Sequence, residues 1–308
     1  MFGVVLLVLV TLGWGFVWPI NKFVIAEVPP LTFRAICVLG GGLGLLAVAR
    51  AGGQSLRVPV RLWPQVAALS ACNVVGWNVL VIYGIALLPS GRAALIGYTM
   101  PLWSTLLAVW VLGERLTARR AASLVLGMAG VGVLLGGDAM QMVGAAAGVG
   151  LVLTAAIGWG LGTVLLKRFA LPVPTSTLTA WMMLSGGAPI GVAAAVLERD
   201  RWHPVSTVAA LGLAYCVVVA FMFCYWAWNR LVLMLPVAVA AVSSLATPVI
   251  GVASGLWLLG EPVTWRELAA AGCILAAIAL VMAPGAPAPA TDTAAGTWRP
   301  GTPPSARA

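Results

Sequence analysis

Trp14, Trp18 and Asn21 fall at i, i+4 and i+7 inside an apolar stretch, a spacing that lines them along one face of a helix. The theme recurs along the chain. Asn73 and Trp77 are four apart with Asn78 beside them, Tyr98 and Thr99 stand just before Pro101, and Trp159 and Thr163 are four apart. Phe221, Tyr225 and Asn229 form an i, i+4, i+8 stripe, and Ser243, Ser244 and Thr247 close the series. Rings, phenols and carboxamides bind a small solute by stacking and hydrogen bonding; they break no bonds. Polar groups in apolar stretches cost free energy when they face lipid, so they are candidates for lining a cavity. The candidate binding set is Trp14, Trp18, Asn21, Asn73, Trp77, Asn78, Tyr98, Trp159, Thr163, Tyr225, Asn229 and Ser244. Each has a plainer alternative. Trp and Tyr also mark membrane interfaces, which suits Trp63, Trp181, Trp202 and Trp265 near stretch ends. Ser and Thr hydroxyls also bond their own helix backbone.

Catalytic and metal chemistry lack suppliers. His203 is the single histidine and falls in a loop. Cys37, Cys72, Cys216, Cys224 and Cys273 are odd in number, lie in apolar stretches and form no close pair in sequence, which argues against a disulfide framework or a zinc site. No nucleophile–base set is available, so the reading is of a non-enzyme with no metal and no cofactor. The acids Glu27, Glu114, Asp138, Glu198, Asp200, Glu261, Glu267 and Asp292 all fall away from stretch centres. A proton-coupled exporter of cations usually needs a buried carboxylate. Its absence favours a neutral or zwitterionic solute with some apolar surface, and facilitated movement over carboxylate-based antiport; coupling through another group or to the solute's own charge stays open. Glu114 and Glu261 read as helix-end anchors or ion-pair partners, and Lys22 and Lys167 as snorkelling side chains.

The elements that position these residues follow from composition. Of 308 residues, 62% are hydrophobic and 8% charged, against roughly a quarter charged in a soluble domain. Apolar runs of about 20 residues match a bilayer core, and backbone groups in lipid must pair internally, so the runs are predicted helices. Ten are placed at 2–24, 31–49, 63–84, 91–112, 119–137, 145–167, 176–196, 207–229, 236–258 and 267–283. The start lacks a basic segment of the secretory kind, so the first helix is expected to be retained. Residues 284–308, rich in Pro, Ala, Gly and Thr, are expected to be a disordered tail. With the N-terminus inside, 11 of 17 basic residues fall on the inner side, and Lys22, Arg34, Arg92, Arg199, Arg201 and Arg266 on the outer. That bias puts both termini in the cytoplasm of a bacterial-type inner membrane and accounts for the net charge of +9 without nucleic acid.

Residues 88–122 repeat as 235–269 at an offset of 147. Leu88-Pro89 matches Leu235-Pro236, Pro101 matches Pro248, Trp110 matches Trp257, and Leu112-Gly113-Glu114 matches Leu259-Gly260-Glu261. Gly13-Trp14-Gly15 matches Gly158-Trp159-Gly160, and Lys22 matches Lys167, at an offset of 145. The halves are 1–137 and 138–283. Five helices per half is an odd number, so the second half enters from the opposite side: an all-α integral membrane protein of ten transmembrane helices in two inverted five-helix repeats. Inverted repeats are associated with alternating access. Pro101 and Pro248, equivalent and mid-span, read either as hinges or as static kinks. Small-xxx-small pairs such as Gly158/Gly162 let backbones approach. Trp14, Trp77, Asn78 and Tyr98 are expected in the outer half of the membrane, and Trp159, Tyr225 and Asn229 in the inner half.

The paired Gly-Trp-Gly motifs resemble the drug/metabolite transporter superfamily, in particular the EamA family, over about residues 1–283. So do Tyr98-Thr99-Met100-Pro101 with Leu112-Gly113-Glu114-Arg115-Leu116-Thr117, and Thr247-Pro248 with Leu258-Leu259-Gly260-Glu261-Pro262-Val263-Thr264. The run Ala227-Trp228-Asn229 resembles an aromatic amino-acid exporter branch, whereas the Tyr-Thr-Met before Pro101 departs from that branch's Tyr-Leu-Trp. The resemblance implies an inner-membrane carrier of small metabolites, often an exporter. The expectation is export of amino acids or similar solutes by a monomer or weak homodimer in the lipid bilayer. The alternatives are a multidrug or nucleotide-sugar carrier, or a membrane scaffold that moves nothing.

Overall fold

A computed structural model describes residues 2–113, 118–135, 143–227 and 246–282. Helix α1 is Phe2–Ile25 and α2 is Pro30–Ala51. A third rod combines α3 (Trp63–Ser70), a π-helical segment (Ala71–Gly76) and α4 (Trp77–Leu87). A fourth combines α5 (Ser90–Gly97) and α6 (Met100–Leu112). Then come α7 (Ala118–Leu135), α8 (Val143–Phe169) and α9 (Thr175–Leu197). Helix α10 (Thr207–Tyr215) runs into a second π segment (Cys216–Phe223), and α11 (Ala246–Leu259) and α12 (Trp265–Met282) follow. Among the described residues, seven helical stretches are long and apolar enough to cross a membrane: Val8–Ile25, Pro30–Ala51, Val60–Leu87, Ser90–Leu112, Ala146–Phe169, Thr175–Leu197 and Thr207–Ala227. Ala121–Gly130 in α7 and Ile250–Leu259 in α11 are shorter apolar helices. Part of the helix expected at 236–258, the tail 284–308, Glu114, Asn229 and Ser244 lie outside the described residues.

Helix packing joins early elements to late ones. Helix α2 lies along α9, and α7 along α12; α4 and α6 both pack on α8, while the second π segment and α11 both pack on α1. A shift of 145 to 147 positions maps α2 onto α9, α7 onto α12, the α6–α8 contact onto the α11–α1 contact, and the contact of the first π segment with α8 onto that of the second with α1. The two π segments, 71–76 and 216–223, also occupy corresponding positions. A π turn inserts a residue into the helical ladder and is frequent at functional sites. Here it rotates the residues after it relative to straight α-helical spacing.

The ends of the bundle differ in chemistry. At the end where α2, α5, α10 and α12 begin, Glu198, Glu261, Glu27 and Glu267 are all engaged in side-chain contacts. Every acid among the described residues lies at this end. The opposite end carries Arg50, Arg57, Arg61, Arg119, Lys167 and Arg168. There the loop after α2 is tied to α9: the Thr177 hydroxyl donates to the Ser55 carbonyl at 2.9 Å, and the Trp181 indole donates to the Leu56 carbonyl at 2.8 Å. Trp181 also meets Trp63 edge to face, with centroids 5.4 Å apart. Arg34, expected among the outer-face charges, is instead buried at 3% exposure in α2. The reason is length: Arg34 and Arg50 are 16 positions apart, about 24 Å of helix, too short to span a bilayer core. A span bounded by Arg50 must therefore take Arg34 inside.

Candidate functional site

The two Gly-Trp-Gly motifs build equivalent crossings. A Cβ on Gly15 would fall 2.3 Å from the Ile250 side chain, and one on Gly160 would fall 2.8 Å from the Ser104 backbone nitrogen and 3.1 Å from Trp103. Trp103 and Ile250 are themselves 147 apart. Gly13 faces Val219 and Cys224, and Gly158 faces Cys72, so the first glycine of each motif packs on a π segment or its edge. Small residues on either side let the backbone approach two neighbours at once, and the intervening tryptophan projects between them.

Each tryptophan meets an aromatic ring from the neighbouring rod. Trp159 stands against Trp77 with centroids 4.9 Å apart and planes tilted 59°. Trp14 meets Tyr225 edge to face at 5.8 Å, and its indole N–H donates to the Ala220 carbonyl at 3.2 Å. Phe221 extends the second pair, 5.8 Å from Tyr225. Trp18 contacts Tyr98 at 6.4 Å and is wedged between two glycines: a Cβ on Gly97 would fall 2.9 Å from its ring and one on Gly251 3.4 Å. The Gly97 Cβ would also fall 3.5 Å from Trp77, so Trp18 and Trp77 share this corner. The Tyr98 phenol pairs with the side chain of Thr247, on α11. Trp14, Trp18, Trp77, Tyr98, Trp159 and Tyr225 thus come together where α1 and α8 meet the third and fourth rods and the stretch after the second π segment. Trp77–Trp159 and Trp14–Tyr225 each pair a residue expected in the outer half with one expected in the inner half, so the two expected groups meet.

The remaining candidates separate by what their polar atoms do. Thr163 donates to the Trp159 carbonyl and Thr99 to the Ile96 carbonyl, each on its own chain turn. Asn78 donates to the Val74 carbonyl at 2.9 Å. Asn21, 1% exposed, accepts from the Cys216 thiol at 3.8 Å, and Cys216 is also hydrogen-bonded to Cys37, a thiol contact that sequence spacing did not reveal. Asn73 sits in the first π segment against Gly162, and its buried Oδ1 has no hydrogen-bond partner. Pro101 lies in the first turn of α6, just after the helical break at Tyr98–Thr99, where a missing N–H costs nothing. Pro248 is the third residue of α11.

The glutamate end is tied together by contacts between helix starts and acids. Gly260 has φ +62° and ends α11, and its counterpart Gly113 has φ +69° after α6. A left-handed glycine terminates a helix and reverses the chain. The reversal carries Glu261 onto the start of α5, whose N-cap is Pro89 and offers no side-chain acceptor. Oε1 accepts from the Ser90 amide at 2.8 Å, and Oε2 accepts from the Ser90 hydroxyl at 2.8 Å and the Gly91 amide at 3.3 Å. Lys22 adds its charge at 3.6 Å. Glu198 caps α2 in the same way through Leu31 and Thr32, and Glu27 caps α10 through Ser206. The Ser206 hydroxyl and amide hold the Glu27 carboxyl below the usual carboxylate range. Arg92 pairs with Glu267. A hollow of about 660 Å³ at the opposite end is lined by residues 55–60, Trp63 and Trp181. It shares no residue with the aromatic cluster.

Known proteins resemble the chain throughout. The profile of the EamA-like transporter family matches residues 1–136 and 146–283. The uncharacterized transporter YoaV of Bacillus subtilis (strain 168) is 23% identical over 256 residues, covering 83% of this chain and 88% of that one. A probable amino-acid metabolite efflux pump of Salmonella typhimurium is 26% identical over 291 residues, covering 89% and 92%. An uncharacterized inner membrane transporter of Escherichia coli (strain K12), YedA, is 26% identical over 269 residues, covering 87% and 86%. A solved crystal structure with 23% sequence identity superposes with a TM-score of 0.66, covering 90% of this chain and 96% of that one, which establishes a shared fold.

Proposed function

The chain belongs to the EamA-like transporter family, and from that premise we propose that it exports small neutral or zwitterionic metabolites, amino acids foremost, across the inner membrane by alternating access. The observation that carries this reading is the aromatic cluster itself. Trp14 and Trp159, equivalent in the repeat, each enter the centre of the bundle and meet Tyr225 and Trp77 from rods that carry π segments. Flat rings with few committed hydrogen bonds suit a solute having both an apolar body and polar ends. A structural scaffold would have no use for two exchangeable crossings.

The ten-span, inverted-repeat topology is supported by the exchange of pairings between halves and by the matching crossings of Gly15 with Ile250 and Gly160 with Trp103. In that topology the glutamate end is periplasmic, both termini are cytoplasmic, and Glu261 with Lys22 holds the outer side shut. Glu114 and Lys167 are their counterparts, by the repeat, at the inner side. Alternation then exchanges one latch for the other, and Pro101 and Pro248 serve as the flexing points beside the cluster. The solute binds a monomer or weak homodimer seated in the bilayer.

Counterflow in proteoliposomes tests this. Liposomes loaded with an unlabelled amino-acid mixture should accumulate labelled amino acids from outside. Accumulation only of cationic dyes or nucleotide sugars would transfer the reading to a multidrug or nucleotide-sugar carrier. No accumulation of any solute would favour a scaffold. The efflux-pump name of the Salmonella relative supports the amino-acid choice.

A further inference from the structure

Buried charges among the described residues are met, with one exception. Glu198 is spent on the amides of Leu31 and Thr32, and Glu267 on Arg92 and Thr264. Arg34, equally buried, has no ion-pair partner, and its Nε has no hydrogen-bond partner. Its guanidinium carbon lies 5.0 Å from the Phe33 ring centroid and 5.9 Å from that of Phe221. It is near enough to Cys37, Cys216 and Tyr225 to interact with them electrostatically. Ring faces attract a cation, but they do not replace the hydrogen bonds that a guanidinium loses on leaving water.

We propose that Arg34 is the carboxylate-binding residue of the carrier, taking the carboxylate of an amino acid or a similar carboxylic-acid solute whose apolar body rests on Phe221 and Tyr225. The proposal rests on the carrier reading above and narrows it to solutes that bring their own negative charge. The guanidinium is a planar fork that accepts a carboxylate through two parallel N–H···O bonds, and it stays charged at all accessible pH. Its place in the chain is firm, because Glu198 pins the first turn of α2 one turn before it. Phe221 and Tyr225 lie on the second π segment and the turn after it, and Tyr225 is also the ring partner of Trp14. The cation therefore borders the aromatic cluster from the glutamate end. With no acid near the span centres to neutralise it, the missing partner arrives with the solute, and an intramembrane ionisable residue of this kind marks a solute path.

The test uses the full chain in detergent and follows its melting temperature and calorimetric binding. The probes are L-phenylalanine, L-leucine and L-threonine, each beside its amide. At least one acid should bind, and its amide should bind on the order of tenfold more weakly or worse, since a charge-assisted hydrogen bond is lost. Arg34→Lys should keep a weakened preference for the acid, and Arg34→Met should abolish it. Unliganded Arg34→Met should melt no lower than the wild type, because it removes an uncompensated buried charge at similar length. The proposal falls if acid and amide bind alike, if Arg34→Met binds the acid as the wild type does, or if no acid binds. It also falls if unliganded Arg34→Met melts several degrees lower, which would make Arg34 a staple between Phe33 and Phe221. Exchange of neutral solutes without any carboxylate binding would sink this assignment and leave the carrier reading standing. Failure of all exchange would remove the carrier reading while acid binding lost in Arg34→Met still stood.

Discussion

Glu261 caps the helix that begins at Ser90, 171 positions away, accepting the Ser90 amide and hydroxyl each at 2.8 Å. Lys22, at 3.6 Å, is the lesser partner. Ser90 is fully buried, so its two bonds are made in a medium that penalises their loss, whereas the Lys22 pair is partly open to solvent. The two contacts can be separated by mutation.

Glu261→Ala should destabilise the protein by about 2–3 kcal/mol, the cost of stranding buried donors at a helix start. Lys22→Met should cost under about 1 kcal/mol, as a partly exposed ion pair does. Denaturation in detergent of both variants measures the difference. Equal losses would show that the ion pair, and not the cap, holds this end.

Transport should depend on the paired rings and not on tryptophan as such. Trp159→Ala and Tyr98→Ala should each reduce counterflow at least tenfold. Trp110→Ala and Trp257→Ala remove rings that are 83% and 76% exposed on the outside of the bundle, and should leave it within about twofold. If Trp159→Ala and Tyr98→Ala both transport normally, the binding assignment is wrong.

The glycine crossings predict a difference between two similar substitutions. Gly15→Ala collides with the Ile250 side chain, which can be trimmed, so the cost of about 1–3 kcal/mol should be largely recovered in Gly15→Ala/Ile250→Ala. Gly160→Ala collides with the Ser104 backbone, so Gly160→Ala/Trp103→Ala should recover much less. Melting curves of the four variants decide it, and equal recovery would mean that the crossings are not packed as described.

Pro101→Ala should slow counterflow several-fold without lowering the melting temperature. Pro101 occupies a first helical turn, where proline is tolerated and its replacement costs little. An unchanged rate would reduce Pro101 to a static feature of packing.

Much of this protein was legible along the chain. The apolar runs had to be helices, because a backbone in lipid can satisfy its own groups only locally. The Gly-Trp-Gly and Leu-Gly-Glu repeats could be aligned because repetition is a property of order. The left-handed Gly260 accounts for the second Leu-Gly-Glu: there the chain reverses and carries Glu261 to the start of another helix, and Gly113 takes the same backbone conformation. The burial of Arg34 is only half legible along the chain: the run between it and Arg50 is too short to span without it, but only packing decides what surrounds it.

By itself, then, the sequence determined the helices, their repetition and the residues available for binding, since desolvated backbone and helical spacing act over neighbours in the chain. Tertiary structure alone decided that Trp77 meets Trp159 and Trp14 meets Tyr225, that Glu261 reaches Ser90, and that Arg34 lies against Phe33 and Phe221 with no ion-pair partner among the described residues. Those relations, with the exception of Phe33, join residues tens to hundreds of positions apart. Which side chains share a dry space depends on how rods cross, and the two π segments turn their faces by an amount that α-helical spacing does not contain.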